Sequence, residues 1–163
     1  MAMQEPDAVK VFDSSQIPGE ILDVMGVNSE TLKRYPELGK AVTGAWFETV
    51  GIMLGDSPQA VAARTYMGEN SGTDLAGYDM QLAATYMFKT PQEKLDYLTT
   101  ERVRETMDFV TRFTFKHGLL GSGAQSPDVI GIELPDGSVW GNKDNVKMRF
   151  DHQFVRMAAD GTL

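Results

Sequence analysis

Cysteine is absent from the 163 residues, which excludes disulfides and thiolate zinc sites. It leaves the compartment open, because exported bacterial proteins also lack cysteine. Histidine occurs only at His117 and His152, and neither stands in the His-Glu-x-x-His spacing of a helical zinc site. Positive charge is scarce as well: 15 Lys plus Arg against 23 Asp plus Glu give a net charge of -8. With no basic cluster to offset it, that charge repels phosphate backbones and anionic membranes, so no nucleic-acid partner is expected. The longest mostly apolar stretch, residues 41–54, is interrupted by Thr43, Gly44, Glu48, Thr49 and Gly51. It falls short of the roughly 20 apolar residues that cross a bilayer. The opening MAMQEPDAVK has no basic start and no apolar core, so no signal peptide is expected within it.

Motifs for common chemistries are missing too. There is no G-x-x-x-x-G-K-[ST] and no G-x-G-x-x-G; Gly121-Ser122-Gly123 is followed by Ala, Gln and Ser and reads as a loop. No G-x-S-x-G elbow supports a Ser-His-Asp triad. Residues 141–145 lack the alternating oxygen ligands and distal Glu of a calcium loop, which leaves a solvated turn. His117, beside a helix end, is expected to interact with the last carbonyls. No cofactor or metal is therefore expected, and no motif here points to an enzymatic activity.

What is present is ordinary globular composition, 42% hydrophobic and 23% charged, expected to form a single domain or a piece of a larger one. Residues 9–12 and 21–27 are apolar runs punctuated by Pro18-Gly19, which predicts strand, loop, strand. A helical turn over residues 20–24 competes for the second. Asn28 or Ser29 can cap a short helix through Arg34, and Pro36 opens a longer one ending near Gly55. In it Leu38, Val42, Ala45, Thr49 and Ile52 recur at spacings of three and four and mark a buried face. Gly39, Gly44 and Gly51 weaken that helix unless a neighbour packs closely on them.

Ser57-Pro58 begins a helix to about Met67, with residues 68–72 as loop, and Thr73 or Asp74 begins the next. Thr90-Pro91-Gln92-Glu93 is a capping box for a helix to about Tyr97. Thr100 opens another, with Val103, Met107, Val110 and Phe113 on one face and Gly118 as its stop. Pro135-Asp136-Gly137 lies between two strand-like runs, the pattern of a hairpin, and residues 146–150 can pair with it. Residues 152–159 predict a terminal helix. The methionines, among them Met53, Met67, Met80, Met87, Met107 and Met157, are expected mostly in helix cores, and Trp46 and Trp140 as packing anchors. The expected fold class is helix-rich α/β, mostly helices with a few strands and a C-terminal β-hairpin.

The string VFDSSQIPGEILDVMGVNSETLKRYPELGKAVTGAW resembles the C-terminal half of periplasmic substrate-binding proteins of the nitrate/sulfonate/taurine class of ABC importers, including those labelled as putative urea-binding. Tyr35-Pro36-Glu37, Lys40-Ala41 and Ala45-Trp46 keep the flavour of the family's Asn-Pro helix, with Tyr in place of Asn. YDMQLAATYMFKTPQEKLDYL and NVKMRFDHQFVRMAADGTL are similar to two later family blocks.

The resemblance implies part of a type 2 periplasmic-binding-protein fold, with residues 1–163 as the C-terminal portion of a two-lobed protein. It implies an extracytoplasmic location and, as partners, a small-molecule solute and the importer's membrane subunits. Family members are about twice as long, enough for two lobes. Such lobes close on a solute by hinge rotation, with polar groups converging from both sides. Asp13, Ser14, Ser15 and Gln16 then lie at a strand end facing the cleft, and Gln81 and Thr85 are further candidates. The same first residues read equally well as an Asx/Ser turn ahead of Pro18, and Gln81 and Thr85 as a solvated helix face.

Self-pairing of the chain is expected where apolar helix faces lack cover. Two other readings stand beside this one: an enzyme like those of thiamine-precursor synthesis, which share the fold and use histidine and iron, and a protein-interaction module acting through residues 68–72.

Overall fold

Caps fix where the helices begin. In the computed structural model, which describes residues 7–17 and 21–163, Asn28 Oδ1 accepts the Glu30 and Thr31 N–H groups at 3.0 and 3.1 Å. Ser57 Oγ accepts that of Ala60 at 3.1 Å, Asp74 Oδ1 that of Gly77 at 2.8 Å, and Thr90 Oγ1 that of Glu93 at 3.2 Å. Each bond satisfies a first-turn donor that has no partner inside the helix. These caps open α1 (Ser29–Arg34), α3 (Pro58–Asn70), α4 (Leu75–Ala83) and α5 (Pro91–Leu98), while Pro36 begins α2 (Pro36–Met53) and Thr100 precedes α6 (Glu101–Lys116). The Glu93 carboxylate reaches back to the Lys89 N–H at 2.7 Å, one residue beyond the capping-box position.

At the other end of α6, the Leu119 N–H bonds Thr114 O at 2.8 Å and the Gly118 N–H bonds Phe115 O at 3.0 Å. That paired closure needs a left-handed residue, and Gly118 supplies it with φ 70°.

After α6 come β1 (Gly131–Glu133), β2 (Val139–Gly141), β3 (Val146–Arg149) and α7 (Gln153–Ala159). β1 and β2 form the expected hairpin, antiparallel with Ile132 opposite Trp140. Gly137, at φ 79°, closes the turn. β3 pairs parallel to β1 on its other side, so the strand order is β2-β1-β3. The chain is thus a helix-rich α/β protein with a small mixed sheet.

The core joins the sheet to α5 and α6. Leu98, Val103, Ile132 and Leu134 are buried together, with Tyr97, Met107, Trp140, Met148 and Phe150 packed against them. The hairpin is also tied to α6 by polar clamps: the Trp140 indole N–H donates to Asp108 Oδ1 at 3.1 Å, and the Arg104 guanidinium donates to the Ser138 hydroxyl. A separate node holds α2, α3 and α4. There the Arg64 guanidinium meets Asp79 and two backbone carbonyls, and the Tyr78 hydroxyl contacts the sulfurs of Met53 and Met67.

Several expectations are corrected. Residues 9–12 and 21–27 are irregular backbone rather than strands, and their large apolar side chains lie largely exposed. A strand needs neighbours to pair with, and the described sheet takes up neither run. The Pro18-Gly19 pair, Glu20 of the competing helical turn and the first six residues lie outside the described residues.

The buried face of α2 is turned by about one residue from the expected one. Gly39, Val50 and Met53 are buried, whereas Leu38, Ala45 and Thr49 are exposed. The cause is α7, whose Phe154 ring occupies the space where a Gly39 side chain would stand. Close packing therefore explains Gly39 and, through Leu163 at 3.6 Å, Gly44, but nothing lies near Gly51.

α3 runs on to Asn70, so residues 68–70 belong to the helix and not to a loop, and a side chain at Gly68 would meet the Asp74 backbone. On α6 the buried face runs through Val103, Thr106 and Thr111, and Phe113 is exposed. Met80 is exposed too, away from any core. The His117 backbone N–H donates to Phe113 O at 3.1 Å, and its ring packs on the Phe113 ring, 4.3 Å between centroids.

Candidate functional site

The first polar cluster is a turn by geometry. Ser14–Gln16 forms a single 3-10 turn, in which the Gln16 N–H donates to Asp13 O at 3.2 Å and the Ile17 N–H to Ser14 O at 3.1 Å. Lys10 Nζ lies 2.7 Å from Asp13 Oδ2. The Ser14 and Gln16 side chains are exposed and Asp13 is half-buried; the Ser15 side chain lies outside the described set. Gln81 and Thr85 sit exposed at the C-terminal end of α4, where the Thr85 hydroxyl donates to Gln81 O at 2.9 Å. That bond spends the hydroxyl on the helix's own backbone.

The larger described concavity, about 260 Å³, lies where the start of α6, the hairpin turn and α7 meet. Its floor is Leu98, Val103 and Leu134, and its rim includes Arg104, Asp136 and His152. Sequence-distant segments supply each rim group, so no local motif announces it. A smaller one of about 130 Å³ is bounded by Glu30, Thr31, Arg34 and Tyr35. None of the six residues expected from the sequence lines either.

The rim is an ion-pair network. Arg104 Nε is 3.1 Å from Glu101 Oε1, and Nη2 is 3.8 Å from Asp136 Oδ2. Asp136 Oδ1 accepts the Ser138 hydroxyl at 2.5 Å and its backbone N–H at 2.9 Å. These two bonds, followed by the Arg104 charge, hold the Asp136 carboxyl below its ordinary range. Behind it the Arg112 guanidinium, and then the Trp140 indole, lower Asp108 in the same way. Such a rim can hydrogen-bond a small polar molecule over an apolar floor.

A third feature is aromatic. Phe88 and Tyr97 lie 5.1 Å apart with Tyr86 edge-on to Phe88, and Lys94 Nζ stands 4.4 Å over the Phe88 ring. Burial there pushes the Lys94 ammonium below its usual value.

Among the described residues no group of three or more His, Asp or Glu side chains is placed to hold a metal ion. Nor is any described helix long and apolar enough to cross a membrane. His117 stands at the C-terminal boundary of α6 and His152 at the N-terminal boundary of α7, where its side chain makes no capping bond. Comparison with protein-family models, curated proteins and solved structures found no match.

Proposed function

We propose that this chain is the C-terminal portion of a two-lobed solute-binding protein of the type 2 periplasmic-binding class, serving an ABC importer for a small nitrogen- or sulfur-containing compound. The observation that carries this reading is the state of the two apolar runs flanking the polar turn. They have the composition of buried strands, yet they run exposed and unpaired beside a folded helical block. A neighbouring lobe would supply the missing strands and place the turn at the mouth of a cleft.

In that setting the Asp13 carboxylate, the Ser14 and Ser15 hydroxyls and the Gln16 amide offer both donors and acceptors to a urea-, sulfonate- or nitrate-like solute. Gln81 and Thr85 form the secondary set. Binding is non-covalent and metal-free, the partners are the solute and the importer's membrane subunits, and the location is extracytoplasmic.

A thermal-shift screen with urea, taurine and nitrate tests this, run on the chain and on a version extended at its N-terminus by the first lobe. The extended protein is expected to gain melting temperature with one solute class and to lose most of that gain on Ser14→Ala. No shift with any of these solutes in either protein overturns the reading.

A further inference from the structure

We infer that the concavity between the start of α6, the hairpin turn and α7 binds a small monocarboxylate with an apolar body, its carboxylate held by Arg156. The space of about 260 Å³ suits on the order of ten non-hydrogen atoms, since a cavity of about 150 Å³ accommodates benzene. Leu98, Val103, Leu134 and Pro135 line it with carbon, which favours an apolar body over a fully hydrated ion.

Most polar groups around that space are already engaged. The Thr99 hydroxyl donates to Leu95 O and Asp96 O at 3.1 Å each, and that of Thr100 to Tyr97 O at 2.7 Å. Glu101 and Asp136 share the Arg104 guanidinium, and Asp136 also accepts from the Ser138 hydroxyl and N–H. His152 and Arg156 remain. They stand one turn apart, the Arg156 N–H bonding His152 O at 2.9 Å, and among the described residues neither side chain has an ion-pair or hydrogen-bond partner. The hydrogen-bonding capacity left at the rim therefore belongs to donors, a permanently charged guanidinium and an imidazole. A carboxylate is the complement, because its two oxygens match the guanidinium fork in parallel. α6 begins at the same place without a side-chain cap, so its dipole adds in the same sense. With the Glu101 and Asp136 carboxylates already on the rim, a singly charged head is favoured over a phosphate. The proposal goes beyond the solute-binding reading and stands without it, because none of that reading's residues lines this concavity.

Calorimetric titration of the intact chain with phenylacetate tests it. Saturable binding is expected, with phenylacetamide, which lacks the charge, and acetate, which lacks the apolar body, each at least about tenfold weaker. Arg156→Gln is expected to weaken phenylacetate about tenfold, as loss of a charge-assisted hydrogen bond does. Its far-UV circular dichroism should not change, since Arg156 is exposed. Arg34→Gln, at the smaller concavity, is expected to bind phenylacetate as the intact chain does. Amide shift changes during the titration should centre on Val103, Asp136 and Arg156. Absence of saturable binding overturns the proposal, as does equal binding of phenylacetamide, full binding by Arg156→Gln, or a loss confined to Arg34→Gln. Thermal shifts with urea, taurine or nitrate bear on the solute-binding reading alone.

Discussion

Arg64 Nε donates to Asp79 Oδ1 at 2.7 Å, while its Nη1 reaches Met53 O and Gly55 O at 2.8 Å each. One guanidinium thus closes the end of α2 and ties α3 to α4, with only 12% of its side chain exposed. Three directed bonds suit the planar fork of arginine and exceed what one ammonium spans from the same backbone position. Arg64→Ala is expected to cost about 3 kcal/mol, because hydrogen bonds to charged groups contribute about 1.5–3 kcal/mol each. Arg64→Lys should recover less than half of that. Urea midpoints of the two variants check the order.

Two glycines of α2 should respond in opposite directions. Alanine stabilises an ordinary helix interior by about 1 kcal/mol over glycine, and Gly51 has nothing near it to object. Gly51→Ala is therefore expected to raise the melting temperature. At Gly39 the new methyl would overlap the Phe154 ring, so Gly39→Ala should lose about 1–3 kcal/mol, as overpacking does. Increased protease sensitivity around α7 would show where that loss falls.

Acid should loosen the hairpin from α6. Asp108 and Asp136 both have lowered carboxyl pKa values in the folded chain. A group lowered on folding contributes stability above its unfolded value and loses it as pH falls through the folded one. The melting temperature should accordingly hold steady to about pH 4 and then decline. Asp108→Asn should flatten the decline, and Trp140 fluorescence reports it because the indole N–H donates to that carboxylate.

α1 buries no residue, so its Asn28 cap carries an unusual share of its stability. Asn28→Ala should cost about 1 kcal/mol locally. Amide exchange at Glu30 and Thr31, the two capped N–H groups, should accelerate about fivefold by that energy, with the global unfolding midpoint little changed.

Signals that act over three or four residues were legible before the structure. Asn28, Ser57, Asp74 and Thr90 are local donors and acceptors, and each stands at a helix start. The Pro135-Asp136-Gly137 turn and the pairing of residues 146–149 with the hairpin followed equally from short patterns. The face of α2 did not, because its centre is a glycine whose value depends on a ring more than a hundred residues away. Residues 9–12 and 21–27 have strand composition without strand structure, since pairing belongs to two segments and not to one. The concavity at Arg104, Asp136 and His152 was hidden for the same reason: three separate elements must meet before it exists.

The strand order β2-β1-β3 also governs how the chain assembles during synthesis. β2 follows β1 across a tight turn and can zip onto it first, whereas β3 must wait, then add along the opposite flank in the parallel sense. A two-stranded hairpin is marginal in water by itself. The nascent sheet thus gains lasting stability only once residues through Arg149 have emerged, so the arrival of β3, and not the closing of the hairpin turn, sets when the sheet becomes stable.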